Sequence, residues 1–414
     1  MAIPTPVALY PSYKDFKDFA FEEFNQLEHF LSSGDDWRMP HWQWGLEFLN
    51  YTGRNKSEHT FTRFRTEVER FLLWLFLIKL KPMSQLGKAD ILEYADFCWQ
   101  PPVNWICLAN HEKFLFENGR YIQNPAWAPF KLKLAKGLDL NKATPDKKKY
   151  KPSQQTLTAT FTAIIAFYKY LMNEEYLYGN PAQIAKTDCR HFIKDAQVKE
   201  VRRLTQEQWQ YVHAVTLAKA NEDPDYERSL FIISALKTLF LRISELSERA
   251  QWSPLMSHFW QDADKNWWLK IYGKGRKLRD ITVPDSFIDY LKRYRAYRGL
   301  SPLPSSGENE PIVEKLRGRG GMTSRQLSRI VQDIFDLAYE KMCRVEGEDN
   351  ARKLKEASSH WLRHTGASME VERGRALKDL SEDLGHASMA TTDTVYVQTE
   401  NRIRAESGKH RKVD

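Results

Sequence analysis

The sequence predicts a mostly α-helical protein with a small β-sheet, built as a helical domain followed by a mixed α/β domain. Three observations carry this reading. Apolar residues recur at helical spacing in several long segments, among them Phe64, Val68, Phe71, Leu72 and Leu75, and then Leu157, Phe161, Ile164, Ile165, Tyr168 and Leu171. One stretch instead has strand character on both sides of a glycine-flanked turn, Trp267–Tyr272 before Gly273-Lys274-Gly275 and Leu278–Val283 after it. Between the two patterns lies a basic segment, 186–204, with Lys186, Arg190, Lys194, Lys199, Arg202 and Arg203. A length of 414 residues suits on the order of two or three domains.

Residues 1–55 are expected to be an N-terminal extension packed on the next domain, with a separate DNA-contacting arm as the alternative. Phe24, Leu27 and Leu31 are its candidate buried positions, and Trp37, Trp42 and Trp44 cluster after a Ser32–Asp36 loop. A helical domain is expected over 56–185. Thr60 is the candidate cap of its first helix, with Arg63 where a capping box would carry an acid. Pro82 is expected to stop that helix, 86–97 gives a second, and Pro101-Pro102 ends it. Residues 156–171 form a further helix, and Asn180-Pro181 is read as a terminator. Residues 103–155 interrupt this pattern as an inserted loop. Its run Lys147-Lys148-Lys149 and Lys151 suits either a solvated surface or contact with phosphates.

After the linker, Thr205–Gln208 reads as a cap and first turn of the second domain, spanning 205–400. A helix over 228–240 leads to Arg242, and Thr323 starts another with Leu327, Ile330, Val331 and Ile334. Residues 301–322 are a loop, Glu346–Asn350 is acidic and exposed, and 401–414 is a basic tail.

The chemistry concentrates near the C-terminus. His360 and Arg363 are three apart, so a helix puts them on one face. Two basic groups on one face suit an oxyanion, and Tyr396 follows within reach of a short helix and turn. Together they are the parts of nucleophilic attack by a phenol on a phosphate. A phenol has a reference pKa of about 10, so it needs cationic surroundings or a nearby base.

This stretch resembles the signature of the tyrosine recombinases, also called phage integrases. His360-Trp361-Leu362-Arg363 is similar to that family's His-x-x-Arg box, Leu384-Gly385-His386 to its Leu-Gly-His box, and Tyr396 to its nucleophile. Leu241-Arg242-Ile243-Ser244-Glu245-Leu246 resembles its arginine box, with Phe240 where the family usually has glycine. Gly273–Arg279 resembles the hairpin that carries its lysine. The resemblance is firm over about 200–400 and looser over 55–185. The interval from His386 to Tyr396 is one residue longer than the family's compact form, which shifts the register of the tyrosine helix.

The resemblance implies a helical core-binding domain and a tyrosine-recombinase catalytic domain. It assigns the catalytic residues as Arg242, Lys274, His360, Arg363, His386 and Tyr396. The arginines would grip non-bridging oxygens, His360 would act as base, His386 would order the phosphate, and Lys274 would protonate the departing 5′ oxygen. Lys147, Lys148, Lys149, Lys151, Arg202, Arg203, Arg276, Lys277 and Arg279 are candidates for contact with the DNA backbone. The implied partner is double-stranded DNA with specific recombination sites, gripped by two domains and a basic hinge. The expected assembly is a tetramer on paired sites and a monomer when free, acting in integration or excision of a mobile element. No cofactor or metal is expected, because a phosphotyrosine stores the bond energy.

Other classes fare less well. The net charge of +8 and the pI near 9.0 fit nucleic acid but are modest for the length. His360 and His364 have metal-ligand spacing, yet Trp361 stands where a zinc peptidase carries its glutamate. A type IB topoisomerase-like enzyme and a catalytically silent DNA-binding protein remain the alternatives. Cys98, Cys107, Cys189 and Cys343 are scattered, and Met1-Ala2-Ile3-Pro4 leads no basic-then-apolar run. A reduced, cytoplasmic, nucleoid-associated protein without a membrane span is therefore expected.

Overall fold

A computed structural model describes residues 3–134, 145–192, 202–273, 277–385 and 408–409. The chain divides into two compact units, Met1–Gln197 and Val198–Asp414.

The first unit is helical. Its elements are α1 (Asn25–Ser32), α2 (Arg38–Asn55), α3 (Glu58–Trp74), α4 (Lys88–Trp99), four short strands β1 (Ile106–Cys107), β2 (Phe114–Glu117), β3 (Arg120–Gln123) and β4 (Phe130–Lys131), then α5 (Gln154–Asn173) and α6 (Pro181–Asp188). The N-terminal segment, the helices and the insertion share one apolar core. Tyr10, Phe61, Phe71, Trp105, Phe130 and Phe167 all lie within it, at no more than 1% exposure. Phe24, Leu27 and Leu31 are buried as expected.

Several local expectations are corrected. The cap of α3 is Ser57, whose hydroxyl accepts from the Thr60 amide. α3 ends before Pro82: a wider turn over Leu75–Lys79 follows it, and Leu80 at φ 51° turns the chain away. Asn180-Pro181 starts α6 rather than ending a segment. The Asn180 side chain accepts from the Gln183 amide, and Pro181 fills a first-turn position that needs no N–H. The 103–155 insertion is more than a loop, since β2 and β3 pair as an antiparallel hairpin and β1 pairs parallel to β4. Arg190 and His191, placed in the linker by sequence, are bound to Asp96 of the first unit.

The second unit comprises α7 (Gln206–Glu222), α8 (Glu227–Thr238), the one-turn α9 (Ile243–Leu246), β5 (Phe259–Gln261), β6 (Trp267–Tyr272), β7 (Leu278–Val283), α10 (Asp285–Tyr297), α11 (Ser324–Glu346), α12 (Glu348–Glu356), α13 (Ser359–Glu372) and α14 (Leu377–Leu384). The strands form one antiparallel sheet in the order β5-β6-β7. The β6–β7 hairpin is the one read from sequence, with the Gly273 amide donating to the Lys277 carbonyl at 2.8 Å. Thr205 and Thr323 cap α7 and α11, each with a glutamine closing a capping box. α8 is buried on nearly all sides by α10, α11 and α13. No described helix is long and apolar enough to cross a membrane.

Candidate active site

The site is built where three chain turns meet. The first follows α8. Phe240 stands where a glycine was expected and takes a left-handed φ of 50°. A bulky residue there is strained, and its neighbours hold it. Its ring is 4% exposed, and its carbonyl accepts from the Arg363 guanidinium. The turn delivers Arg242 to the N-cap of α9, where the Glu245 carboxylate accepts from the Arg242 amide at 2.8 Å and from its guanidinium at 2.9 Å.

The second part is α13, carrying His360 and Arg363 one turn apart. Arg363 is 3% exposed, and besides Phe240 it donates to the Leu384 carbonyl at 2.6 Å and lies 3.8 Å from Glu245. α13 can come this close because Gly366 faces α8. A Cβ there would stand 1.9 Å from the Lys237 carbonyl oxygen. Thr365 anchors the same turn, donating to the Trp361 carbonyl and accepting from the Leu204 amide at the start of the unit.

The third part is the end of α14. Gly385 has φ 62°, the left-handed cap that glycine provides without a Cβ penalty. α14 is clipped to β7 by Asp383, which accepts from the Thr282 amide at 3.1 Å and its hydroxyl at 2.6 Å.

The electrostatics follow from this packing. Burial pushes the Glu245 carboxyl up, but the charge and hydrogen bonds of Arg279, the Arg242 amide and the charge of Arg363 outweigh it, so it lies below the usual carboxylate range. His360, on the exposed surface, is held below the usual histidine value by partial desolvation first, then by the charges of Arg363 and Arg242. His364 is pushed down to about 4 by burial, then by Arg363 and His360. Both imidazoles are thus neutral at neutral pH.

The structure brings Arg242, His360 and Arg363 together. Lys274, Arg276, His386 and Tyr396 lie outside the described residues. Of the backbone candidates, Lys148, Lys149, Lys151, Arg202 and Lys277 are exposed and Lys147 is half-buried. Arg203 pairs with Glu372 at 2.6 Å. Arg279 has different partners from those expected, because its guanidinium is turned inward onto Glu245 and the Asp383 carbonyl. Sequence reasoning gave no role to Glu245, although it lies one helical turn after Arg242. It missed Gly366 and Asp383 too, whose partners Lys237 and Thr282 are more than 100 residues away. No group of His, Cys, Asp and Glu among the described residues is placed to hold a metal ion.

Arg242 and Arg363 thus stand on one buried carboxylate beside a histidine, an arrangement chemically able to hold an anion. Residues 202–402 match the model of the phage integrase family. The tyrosine recombinase XerC of Thermodesulfovibrio yellowstonii is 26% identical over 245 residues, covering 58% of this chain and 70% of the relative. The tyrosine recombinase XerD of Staphylococcus saprophyticus is 24% identical over 255 residues, covering 61% and 75%. Among solved structures, a Tn1549 transposon integrase in complex with a circular intermediate DNA aligns with a TM-score of 0.53 at 15% identity, over 89% of this chain and 98% of that one. The XerH site-specific recombinase bound to a palindromic difH substrate aligns at 0.52 and 14%, over 96% and 92%. At these identities the structural likeness is one of fold. Residues 202–402 form a phage integrase family domain, and the protein that carries it is a tyrosine site-specific recombinase.

Proposed function

We propose that this recombinase cleaves and rejoins double-stranded DNA at specific recombination sites through a covalent 3′-phosphotyrosyl intermediate, in integration or excision of a mobile element. The observation that carries the reading is the convergence of Arg242 and Arg363 on Glu245, with His360 one turn from Arg363. Rigid guanidinium forks held by a buried carboxylate are preorganised for the non-bridging oxygens of a phosphodiester, whose charge redistributes in the transition state. Tyr396 Oη attacks phosphorus and the bond to the 5′ oxygen breaks. The phenolic proton passes to His360, which its surroundings keep neutral and able to accept it. Lys274 protonates the leaving oxygen, and His386 orders the phosphate. Resealing reverses these steps using the energy kept in the phosphotyrosine bond, so the reaction needs neither a nucleoside triphosphate nor a metal. The DNA-bound state of the similar integrase and XerH structures supports DNA as the partner, in a cytoplasmic, nucleoid-associated setting.

Exchange between two duplexes needs four cuts and four rejoinings, so the chain acts as a tetramer on paired sites and is monomeric when free. The test is direct. The protein is incubated with a library of nicked duplexes, and DNA that stays attached after denaturation is sequenced. Wild type is expected to yield an adduct and so define its site, and Tyr396→Phe to bind that site without forming one. An adduct with Tyr396→Phe would overturn the assignment. Deleting 401–414 is expected to spare binding to one site and reduce pairing of two, read by light scattering. Full recombination with no species above one protomer per duplex would refute the tetramer.

A further inference from the structure

Glu245 is 1% exposed and meets three guanidinium groups among the described residues. Arg279 takes both carboxylate oxygens, Nη1 at 2.9 Å and Nη2 at 3.2 Å. Arg242 bonds only one of them through its side chain, and Arg363 stands off at 3.8 Å. The remaining nitrogen of Arg279, Nε, donates to the Asp383 carbonyl at 3.1 Å. Two glycines make room for this group. A Cβ at Gly273 would lie 2.6 Å from Arg279 Nη1, and one at Gly385 would lie 2.8 Å from Arg279 Cζ. The guanidinium therefore fills a slot between the base of the β6–β7 hairpin and the Leu384-Gly385 turn, with every nitrogen engaged. A lysine could not span both Glu245 oxygens and the Asp383 carbonyl.

We infer that Arg279 is a positioning residue of the recombinase: it neutralises Glu245 so that Arg242 and Arg363 keep their charge for the scissile phosphate, and it clamps the Gly385 turn against the hairpin. The inference rests on the reading of Arg242 and Arg363 as the phosphate grip. The charge count states the consequence. With Arg279 in place, three cations share one carboxylate; without it, the carboxylate falls wholly on the two arginines that must hold the substrate.

The test uses the full chain and the duplex mapped by adduct trapping, made with a phosphate or with a neutral methylphosphonate at the scissile position. Adduct formation is followed in a single turnover, and folding by thermal melting. Arg279→Met is expected to slow cleavage of the phosphate by about 100-fold, the scale of losing one preorganised donor, and cleavage of the methylphosphonate by less than about 10-fold. Adding Glu245→Gln to Arg279→Met removes the uncompensated carboxylate and is expected to restore phosphate cleavage at least about 10-fold. If Arg279→Met does not fold, Arg279→Lys keeps the charge without the fork, and a folded Arg279→Lys protein is expected within about 10-fold of wild type on phosphate. Equal losses on both substrates with no recovery in the double variant, or a folded Arg279→Lys protein about 100-fold slow, would reduce Arg279 to a packing role and overturn the inference. Failure of the wild type to form an adduct would overturn the phosphate-grip reading with it. A wild-type adduct with the wrong variant pattern would overturn this inference alone.

Discussion

Glu69 in the first unit and Glu245 in the second are both 1% exposed, and their partners divide their roles. Glu69 accepts from the Leu9 amide at 2.8 Å, the Tyr10 amide at 3.3 Å and the Lys113 ammonium. One carboxylate on α3 thereby holds the N-terminal segment and the insertion to the helical core. Glu245 instead gathers three arginines from β7, α13 and the turn before α9. A buried acid that ends on backbone amides and one lysine is a staple. A buried acid outnumbered by forked cations at a surface turn leaves positive potential for an anion.

The largest expected effect lies on the staple. Glu69→Ala leaves Lys113 buried without its carboxylate and is expected to cost about 3–5 kcal/mol of stability. The single-turnover cleavage rate of the molecules still folded is expected to stay at the wild-type value. A loss in that rate would erase the division between the two carboxylates. Arg363→Ala is the converse. It is expected to raise the cleavage barrier by roughly 3–4 kcal/mol after correction for the folded fraction, and a near-wild-type rate would remove Arg363 from the site.

A third measurement sharpens the structural side through pH. His41, buried in the first unit, accepts from the Met83 amide through Nε2 at 2.8 Å and meets the Tyr176 hydroxyl through Nδ1 at 3.2 Å. Burial lowers its pKa from 6.5 to about 4. Between those values the unfolded chain binds a proton that the folded chain refuses, so this stability is fully present above pH 6.5 and is lost as the pH falls towards 4. The loss is about 3 kcal/mol. His41→Gln keeps an acceptor for Met83 and is expected to remove that part of the acid dependence; an unchanged melting profile between the two proteins would contradict it.

The smallest effect concerns the surface. Replacing Lys147, Lys148, Lys149 and Lys151 with alanine is expected to weaken DNA binding similarly across sequences and to flatten its salt dependence by up to about one counterion per lysine. An unchanged slope would return this turn to a solvated surface, where Lys151 already rests over the Trp99 ring at 5.3 Å.

The same pair of carboxylates explains what could be read from the sequence. In the sequence His360 and Arg363 stand out by their three-residue spacing, Arg242 only by the resemblance of its box to the family signature, and the hairpin by the glycines that flank its turn. Glu245 was within reach, three residues from Arg242, but its role depends on Arg279 and Arg363 arriving from other elements. Glu69 was illegible, because its partners lie 44 to 60 positions away and no local period links them. The insertion was misread for a related reason: its strands are only two to four residues long and carry too little alternation to announce themselves. Phe240 shows the reverse case: it stands where the family usually has glycine, and tertiary hydrogen bonding holds the left-handed conformation without one.

The most direct test of the catalytic account is the chemistry of the trapped bond. The denaturation-resistant adduct is digested with protease and nuclease, and the peptide carrying the nucleotide is sequenced by mass spectrometry. The account predicts a nucleotide joined through its 3′ phosphate to Tyr396. A 5′ linkage, or attachment to any other residue, would contradict it.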